Sequence, residues 1–317
     1  MVLAATMRHD ALPMRMNRIF REGPLTSGAE IQLAPAGAYH VARVLRMREG
    51  ASLAVFDGSG QEFRAEVVRV AGDDVTVRLG EATAGATESP LRITLLQGVS
   101  RSERMDWTLQ KATELGVATI APVLTARSVV RLDEKQAQKK QSHWHGIVIA
   151  ACEQCGRSKI PHVAAPVTLR EHLANARKEG LRLVLSPSAP GSLAGLTSLP
   201  NKVELLIGPE GGLDDDELLA AQKAGFMPVR LGPRVLRTET AAVVALSSQI
   251  SGGYFGVITQ GFPQLVRVNA DVVKHDPSRN FPERGPILCQ VRMLNESPLI
   301  PDFECLEQMI SEETRAG

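Results

Sequence analysis

The chain has 317 residues, 44% hydrophobic and 22% charged, and its 36 Lys and Arg nearly balance 35 Asp and Glu for a formal net charge of +1. That length predicts two domains and a sizeable core; the composition excludes a disordered or fibrous chain, and no run of about eighteen apolar residues marks a transmembrane helix. The near-neutral balance excludes a global basic field, so nucleic-acid binding has to rest on local patches.

Residues 1–14 read as an N-terminal extension, with Met14 an alternative initiator. The opening MVLAATMRHDALPMRMNRIF lacks the uninterrupted apolar core of a signal peptide, which points to a cytoplasmic protein. Over residues 15–86 the pattern is mostly β. AGAYHVARVLRMREG (36–50) predicts one helix, with Val41, Val44 and Leu45 on one face and Gly50 as its stop. ASLAVF and QEFRAEVVRV predict strands joined by an Asp57-Gly58-Ser59-Gly60 turn. Phe63, Ala65 and Val67, then Val75, Val77 and Leu79 after the AGDD turn, alternate with polar residues as in a half-buried sheet. A small barrel or curled sheet fits. Arg15, Arg18 and Arg21, with Arg43, Arg46 and Arg48 on the helix, suit bidentate phosphate contacts, although acidic residues balance them and such runs also simply solvate a face.

A linker of small residues, EATAGATESP (81–90), precedes a region from Leu91 in which strands and helices alternate, the mark of a parallel sheet covered by helices. RITLLQG is its first strand. Ser100-x-x-Glu103 predicts a capping box for the next helix, whose Met105, Leu109 and Ala112 share a face and which Gly116 closes. Its polar residues Arg104, Lys111 and Glu114 face either a site or water. KKQSHWHGIVIAACEQCGRSKIP predicts a helix with Ile147, Ala150 and Ala151 inward, ended by Gly156 and Pro161, with Glu153, Gln154 and Arg157 at its tip. Cys152 and Cys155 form a C-x-x-C, but the remaining Cys289 and Cys305 supply no second close pair, so neither metal nor redox chemistry is expected. Between Gln97 and Ile160, ten Lys and Arg stand against six Asp and Glu. That excess of four is the strongest local footprint for RNA. LRLVLSP (181–187) predicts a further strand.

Two loops of one design follow. VELLI stops at Gly208-Pro209-Glu210-Gly211-Gly212, and PVRL stops at Gly232-Pro233-Arg234; each opens into a helix, the first of them DDDELLAAQKAG with acids at its favourable N-terminal end. Ligands of open α/β sheets sit outside the carboxyl ends of the strands, where both loops lie. The glycines permit positive φ and close backbone approach, and the prolines stiffen the loops. GPEGG matches neither glycine-rich phosphate motif, no Lys follows it, and Glu210 would repel a phosphate. A ligand that exposes an adenine edge, a ribose and an amino acid suits such backbone better, and S-adenosylmethionine (SAM) is one; tight strand-to-helix turns are the alternative.

IGPEGGL (207–213) and LGPRVLRTETA (231–241) together resemble the paired signatures of the RsmE family of ribosomal RNA uridine-N3 methyltransferases. RMDWTLQKATELGV (104–117), ARSVVRL (126–132) and ACEQCGRSKIP (151–161) resemble further segments of that family in its order, so that the resemblance runs from about Arg15 to Gly253. It implies an α/β fold of the SPOUT class: a PUA-like, RNA-binding β-barrel over 15–86, then a parallel sheet with a C-terminal trefoil knot over 90–256. Residues 257–317 match nothing in the family, and no chemistry is assigned to them.

The resemblance also implies SAM as cofactor, a uridine N3 of 16S ribosomal RNA as target, and a homodimer. Candidate cofactor-binding residues are Leu185, Ser186, Leu206, Ile207, Gly208, Pro209, Glu210, Gly211, Gly212, Leu231, Gly232, Leu236, Thr238, Thr240 and Ala241. Uridine N3 carries a proton at neutral pH that has to be removed or shared; a positioned carboxylate can act as the general base and a nearby arginine can stabilise the anionic ring. Glu239 and Glu153 are the candidate bases; Arg237, Arg234 and Arg157 are the candidate stabilisers. Arg15, Arg18, Arg21, Arg43, Arg46 and Arg104 are candidate RNA contacts. A related enzyme acting on transfer RNA, or a non-catalytic RNA-binding assembly factor, are the alternatives.

Overall fold

The structure, a computed structural model, describes residues 16–84, 88–128, 132–175, 179–193 and 200–247, and the strand segments 274–275, 287–292 and 299–301. The N-terminal part is built from β1 (Arg18–Phe20), β2 (Glu30–Gln32), α1 (Pro35–Tyr39), β3 (Ser52–Phe56), β4 (Gln61–Ala71) and β5 (Asp74–Ala84). The strands form one sheet in the order β1-β3-β4-β5-β2, with β1 parallel to β3 and the other pairs antiparallel. Two register shifts in β4, between Phe63 and Ala65 and between Val67 and Arg69, bend the long β4–β5 hairpin. The sheet thereby curls around Ile19, Leu53, Val55, Phe63, Val67, Val75, Val77 and Leu79, and Leu33 and Val41 complete this core.

The helix expected over 36–50 is shorter. After α1 the chain passes through a π-helical turn, His40–Val44, and reverses at Arg46, which takes a left-handed φ of 51°. The wider turn shifts the face by one residue, so Val41 is buried while Val44 is exposed.

The second part comprises β6 (Arg92–Gly98), α2 (Ser102–Glu114), β7 (Thr119–Leu124), α3 (Glu134–Cys155), β8 (His162–Val163), β9 (Val167–Thr168), α4 (Leu169–Asn175), β10 (Leu181–Leu185), β11 (Gly191–Ser192), β12 (Lys202–Ile207), α5 (Asp215–Lys223), β13 (Met227–Arg230) and α6 (Thr238–Ser247). Its sheet runs β11-β13-β10-β12-β6-β7-β8, with β9 also on β7, and every pair is parallel. A parallel sheet is covered on both faces, which explains why its strands read as mainly apolar runs; the charges inside β10 and β12, Arg182 and Glu204, pair with each other at 2.8 Å. Leu96, Val184 and Leu206 share a core with Leu169 of α4 and Ala221 of α5. Their neighbours Leu95, Leu183 and Leu205, also buried, point to the opposite face, and α2 packs against both α3 and α6.

Helix ends follow local chemistry with one exception. Asp133 with Gln136, and Asp214 with Glu217, form capping boxes for α3 and α5. The box expected from Ser100 and Glu103 does not form: α2 starts after Arg101, which has no side-chain cap, and the backbone N–H of Arg101 donates instead to Glu210 Oε1 at 3.1 Å. On α3, Trp144, Val148, Ala151 and Cys152 face inward, while Ala150 is exposed.

A buried ionic joint fastens the first sheet to the tip of α3. Arg18, its side chain 8% exposed, pairs with Glu62, donates to Arg157 O at 3.1 Å and to Ser158 Oγ at 2.9 Å, and lies 4.8 Å from the Phe56 ring centroid. Ser158 Oγ donates to Glu62 Oε2. The Phe20 N–H donates to Glu153 Oε1 at 2.9 Å. A separate unit begins at Gly253, and its described strands β14 (Lys274–His275), β15 (Ile287–Arg292) and β16 (Leu299–Pro301) form an antiparallel sheet in that order.

Burial pushes the Glu153 carboxyl above its ordinary range, and the Phe20 N–H only partly offsets this. A carboxyl whose folded-state pKa is raised removes stability as pH climbs from the ordinary carboxylate range through the raised value. Glu153→Gln, which keeps the acceptor and loses the charge, should therefore be at least as stable as the wild type at neutral pH. Glu153→Ala, which strands the Phe20 N–H, should lose about 1–2 kcal/mol. Urea unfolding at two pH values checks both.

Candidate active site

The carboxyl ends of β13, β10 and β12 lie side by side, and the loops leaving them enclose a cavity of about 530 Å³. Of the residues expected to hold a cofactor, Leu185, Ser186, Ile207, Gly208, Pro209, Glu210, Gly211, Gly212, Leu231, Gly232, Leu236, Thr238 and Ala241 line it. Leu206 and Thr240 do not: Leu206 is fully buried on the α4–α5 face of β12, and Thr240 lies outside the lining on α6.

The two cavity loops are stitched together, and to strand β6, at the base of this cavity. Thr238 Oγ1 donates to Gly208 O at 2.6 Å and accepts from Gln97 Nε2 at 2.9 Å; Gln97 Nε2 also donates to Gly98 O at 3.1 Å. Gln97 and Thr238 are both buried. Gly98 passes so near the first loop that a Cβ there would lie 2.4 Å from Pro209 N. The loop then turns on itself, Gly212 N–H donating to Pro209 O at 2.9 Å with a φ of 71° at Gly212. Neither Gln97 nor Gly98 was expected here. Their signal was a polar residue and a glycine closing an otherwise apolar strand, RITLLQG.

Charges line the rim. Glu210 reaches back to the start of α2, where it caps Arg101 N and pairs with Arg104 at 3.3 Å. Arg104, expected to contact RNA, is thus part of the cavity wall. Arg127, also unexpected, donates to Gly211 O at 2.9 Å and lines the same wall. Arg234 and Arg237 line the cavity and are exposed. Glu239 lies beside Thr238 in the first turn of α6, outside the lining, with Oε2 buried and without a partner among the described residues.

The other candidates are engaged elsewhere. Arg157 is 7% exposed; it makes a two-pronged bond with Glu88 (2.9 and 2.6 Å) and donates to Thr113 O and Val117 O near the end of α2. Glu153 holds Phe20. Neither lines the cavity, because the tip of α3 meets the first sheet rather than the cavity loops. Arg18 is likewise consumed by Glu62 and is not offered to phosphate. Arg21 donates to Glu22 O, Arg43 pairs with Asp73 at 2.6 Å on the surface, Arg46 is exposed, and Arg15 lies outside the described residues. Burial raises the Cys152 thiol to about 12, which makes it an inert packing group. Among the described residues no group of three or more His, Cys, Asp or Glu is placed to hold a metal, and no helix is long and apolar enough to cross a membrane.

This fold and cavity define an RNA methyltransferase. Residues 87–249 match the family model of an RNA methyltransferase domain, and residues 38–80 that of an RNA methyltransferase PUA domain. The ribosomal RNA small subunit methyltransferase E of Buchnera aphidicola (subsp. Schizaphis graminum) is 33% identical over 234 residues, covering 74% of this chain and 95% of that protein; the one of Bacillus subtilis is 34% identical, covering 66% and 85%. The chain belongs to the ribosomal RNA small subunit methyltransferase E family. Among solved structures, a putative methyltransferase of Legionella pneumophila with bound cofactor SAM superposes with a TM-score of 0.72 at 43% identity, over 75% of this chain and 98% of that one. The family member of Neisseria gonorrhoeae bound to SAM gives 0.69 at 36%, over 74% and 96%. Both are similar in the SPOUT-type parallel sheet and the small β-rich domain before it.

Since a side chain at position 98 meets backbone and not a flexible group, Gly98→Ala should displace the 208–212 loop and cost about 1–3 kcal/mol. Chemical denaturation checks this, and an unchanged midpoint would contradict the close approach.

Proposed function

We propose that the protein transfers a methyl group from SAM to N3 of a uridine in 16S ribosomal RNA, acting as a homodimer. The observation that carries this is the cavity at the ends of three adjacent parallel strands, in a chain whose solved relatives bind SAM. The residues fit that cofactor. The volume lies within the roughly 300–1,000 Å³ of small-molecule sites. Leu185, Ile207, Leu231 and Leu236 offer apolar walls to an adenine, and the 208–212 backbone offers polar groups to its edge and to the ribose. Glu210 and Asp215 in the lining oppose a phosphate but not a cationic sulfonium. We also read the passage of the chain as a trefoil knot, supported by β12 lying between β6 and β10; an experimental trace of residues 203–247 would decide it.

Bound there, SAM supplies a methyl group already activated on a sulfonium. The chain has to hold the acceptor nitrogen in line with it, an orientation that contributes several kcal/mol. Glu239, outside the lining itself but next to Thr238 that forms part of it, is the carboxylate assigned to accept the N3 proton; its Oε2 has no other partner among the described residues. Arg237 and Arg234 at the rim steady the negative charge that proton loss leaves on the ring. N3 is occupied in a base pair, so the uridine must be unpaired or flipped out. Arg21, Arg46 and Arg104 are the RNA contacts this reading retains; Arg18 belongs to the joint.

For the dimer, the support is apolar surface on two helices that pack together and on a cavity loop: Trp107 of α2 is 39% exposed, Val244 of α6 40%, and Val235 79%. Light scattering should give twice the chain mass, and a monomer at micromolar concentration would contradict the dimer. Glu239→Gln should lower the rate of methyl transfer to small-subunit RNA by about 10²- to 10⁴-fold with SAM binding retained. Undiminished turnover would remove Glu239 from the proton-accepting role.

A further inference from the structure

The buried hydrogen-bond chain at the cavity floor has only one consistent direction. Gly98 O and Gly208 O are acceptors alone, and a threonine hydroxyl has a single proton. Thr238 Oγ1 lies 2.6 Å from Gly208 O, so its proton is committed there, and whatever approaches it from the other side must donate. Gln97 therefore turns its amide NH₂ to both Thr238 Oγ1 and Gly98 O; the reverse orientation would set two acceptors against each other. Its Oε1 is left buried without a partner among the described residues, a cost accepted to keep the NH₂ in place.

Position explains what this achieves. Gln97 lies in β6, in register with Ile207 of β12 on one side and Pro122 of β7 on the other, at the middle of the sheet. It is anchored by strands: its amide bonds to Gly98 of the same strand and to Thr238, whose hydroxyl in turn holds Gly208 of the first loop. Thr238 begins α6, and Gly208 begins the turn that ends at Gly212. One amide on a strand thus holds the Thr238 hydroxyl, and that hydroxyl joins the second loop to the first and occupies the Gly208 carbonyl. The backbone groups further along are left to face a ligand.

We propose that Gln97 is a positioning residue for the methyl donor: by donating to Thr238 it locks the two loops into the spacing that binds SAM before SAM arrives. Pre-organisation of this kind shows as affinity and not as new contacts. This rests on the reading that the cavity binds SAM.

The test is calorimetric binding of SAM, without RNA, by the full chain and its variants, with melting curves as a folding control. Gln97→Glu is nearly isosteric but cannot donate when ionised, and a buried carboxyl regains its proton above the ordinary range. At about pH 8 it should bind SAM at least roughly tenfold more weakly than wild type, and at about pH 6 it should recover most of that loss relative to wild type. Wild-type affinity at the higher pH, or a loss that acidification does not repair, would overturn the proposal. Should Gln97→Glu fail to fold, the cycle of Gln97→Met, Thr238→Val and the double variant decides: a double variant no weaker than Thr238→Val supports the coupling, and additive losses overturn it. Wild-type protein that binds no SAM would sink the reading of the cavity itself, and this proposal with it. Wild-type binding with an unaffected variant would sink only the proposal.

Discussion

The cavity depends on the contact between Thr238 and Gly208, and that contact depends on Gln97. Loops are the mobile part of a parallel α/β fold, and a site built from two of them needs something stiffer to refer to. Here it is β6, covered on both faces and paired on both sides, which offers one buried amide at its carboxyl end. A buried donor left unpaired costs about 1–3 kcal/mol, more than a hydrogen bond gains on average. The chain of bonds is therefore held as much by the penalty of breaking it as by its own strength. Gly98 adds a steric constraint of the same kind, since the next residue of the strand leaves no room between it and Pro209.

The second constraint joins the two sheets. Arginines that look suited to RNA are in part used up inside the protein: Arg18 by Glu62, and Arg157 by Glu88 and two carbonyls at the end of α2. Removing one partner of such a buried pair costs about 3–5 kcal/mol, whereas exposed pairs such as Arg43 with Asp73 contribute about 0–1. The buried pairs therefore decide how the first sheet is held against the end of α3. Glu153 makes the same point for a carboxylate. It is too well placed against Phe20 to be a mobile base.

Much of this was legible in the residues. Strands buried on both faces read as apolar runs, so VELLI, PVRL, RITLLQG and LRLVLSP announced themselves, and glycines marked the ends of the helices at 116, 156 and 225. The two cavity loops were readable because they repeat one design. The part that stayed hidden depends on partners far along the chain. Gln97 meets Thr238 across 141 positions, and Arg18 meets Arg157 across 139, which no local pattern reports. Glu210 caps α2 from 109 positions away, in place of the capping box expected from Ser100 and Glu103. Strands β8, β9 and β11 have two residues each, too short for any period. The π-helical turn at His40–Val44 rotated a helix face that a strict period of 3.6 had set differently.

The most direct test is the chemical identity of the product. SAM carrying a labelled methyl group is offered with unmodified small ribosomal subunits, with deproteinised 16S RNA and with transfer RNA, and the labelled nucleosides are identified by mass spectrometry. The proposed reading, with Glu239 accepting the N3 proton and Arg234 and Arg237 steadying the ring, predicts label as 3-methyluridine in small-subunit RNA. Label confined to transfer RNA, label on another atom, or no label in any acceptor would contradict it.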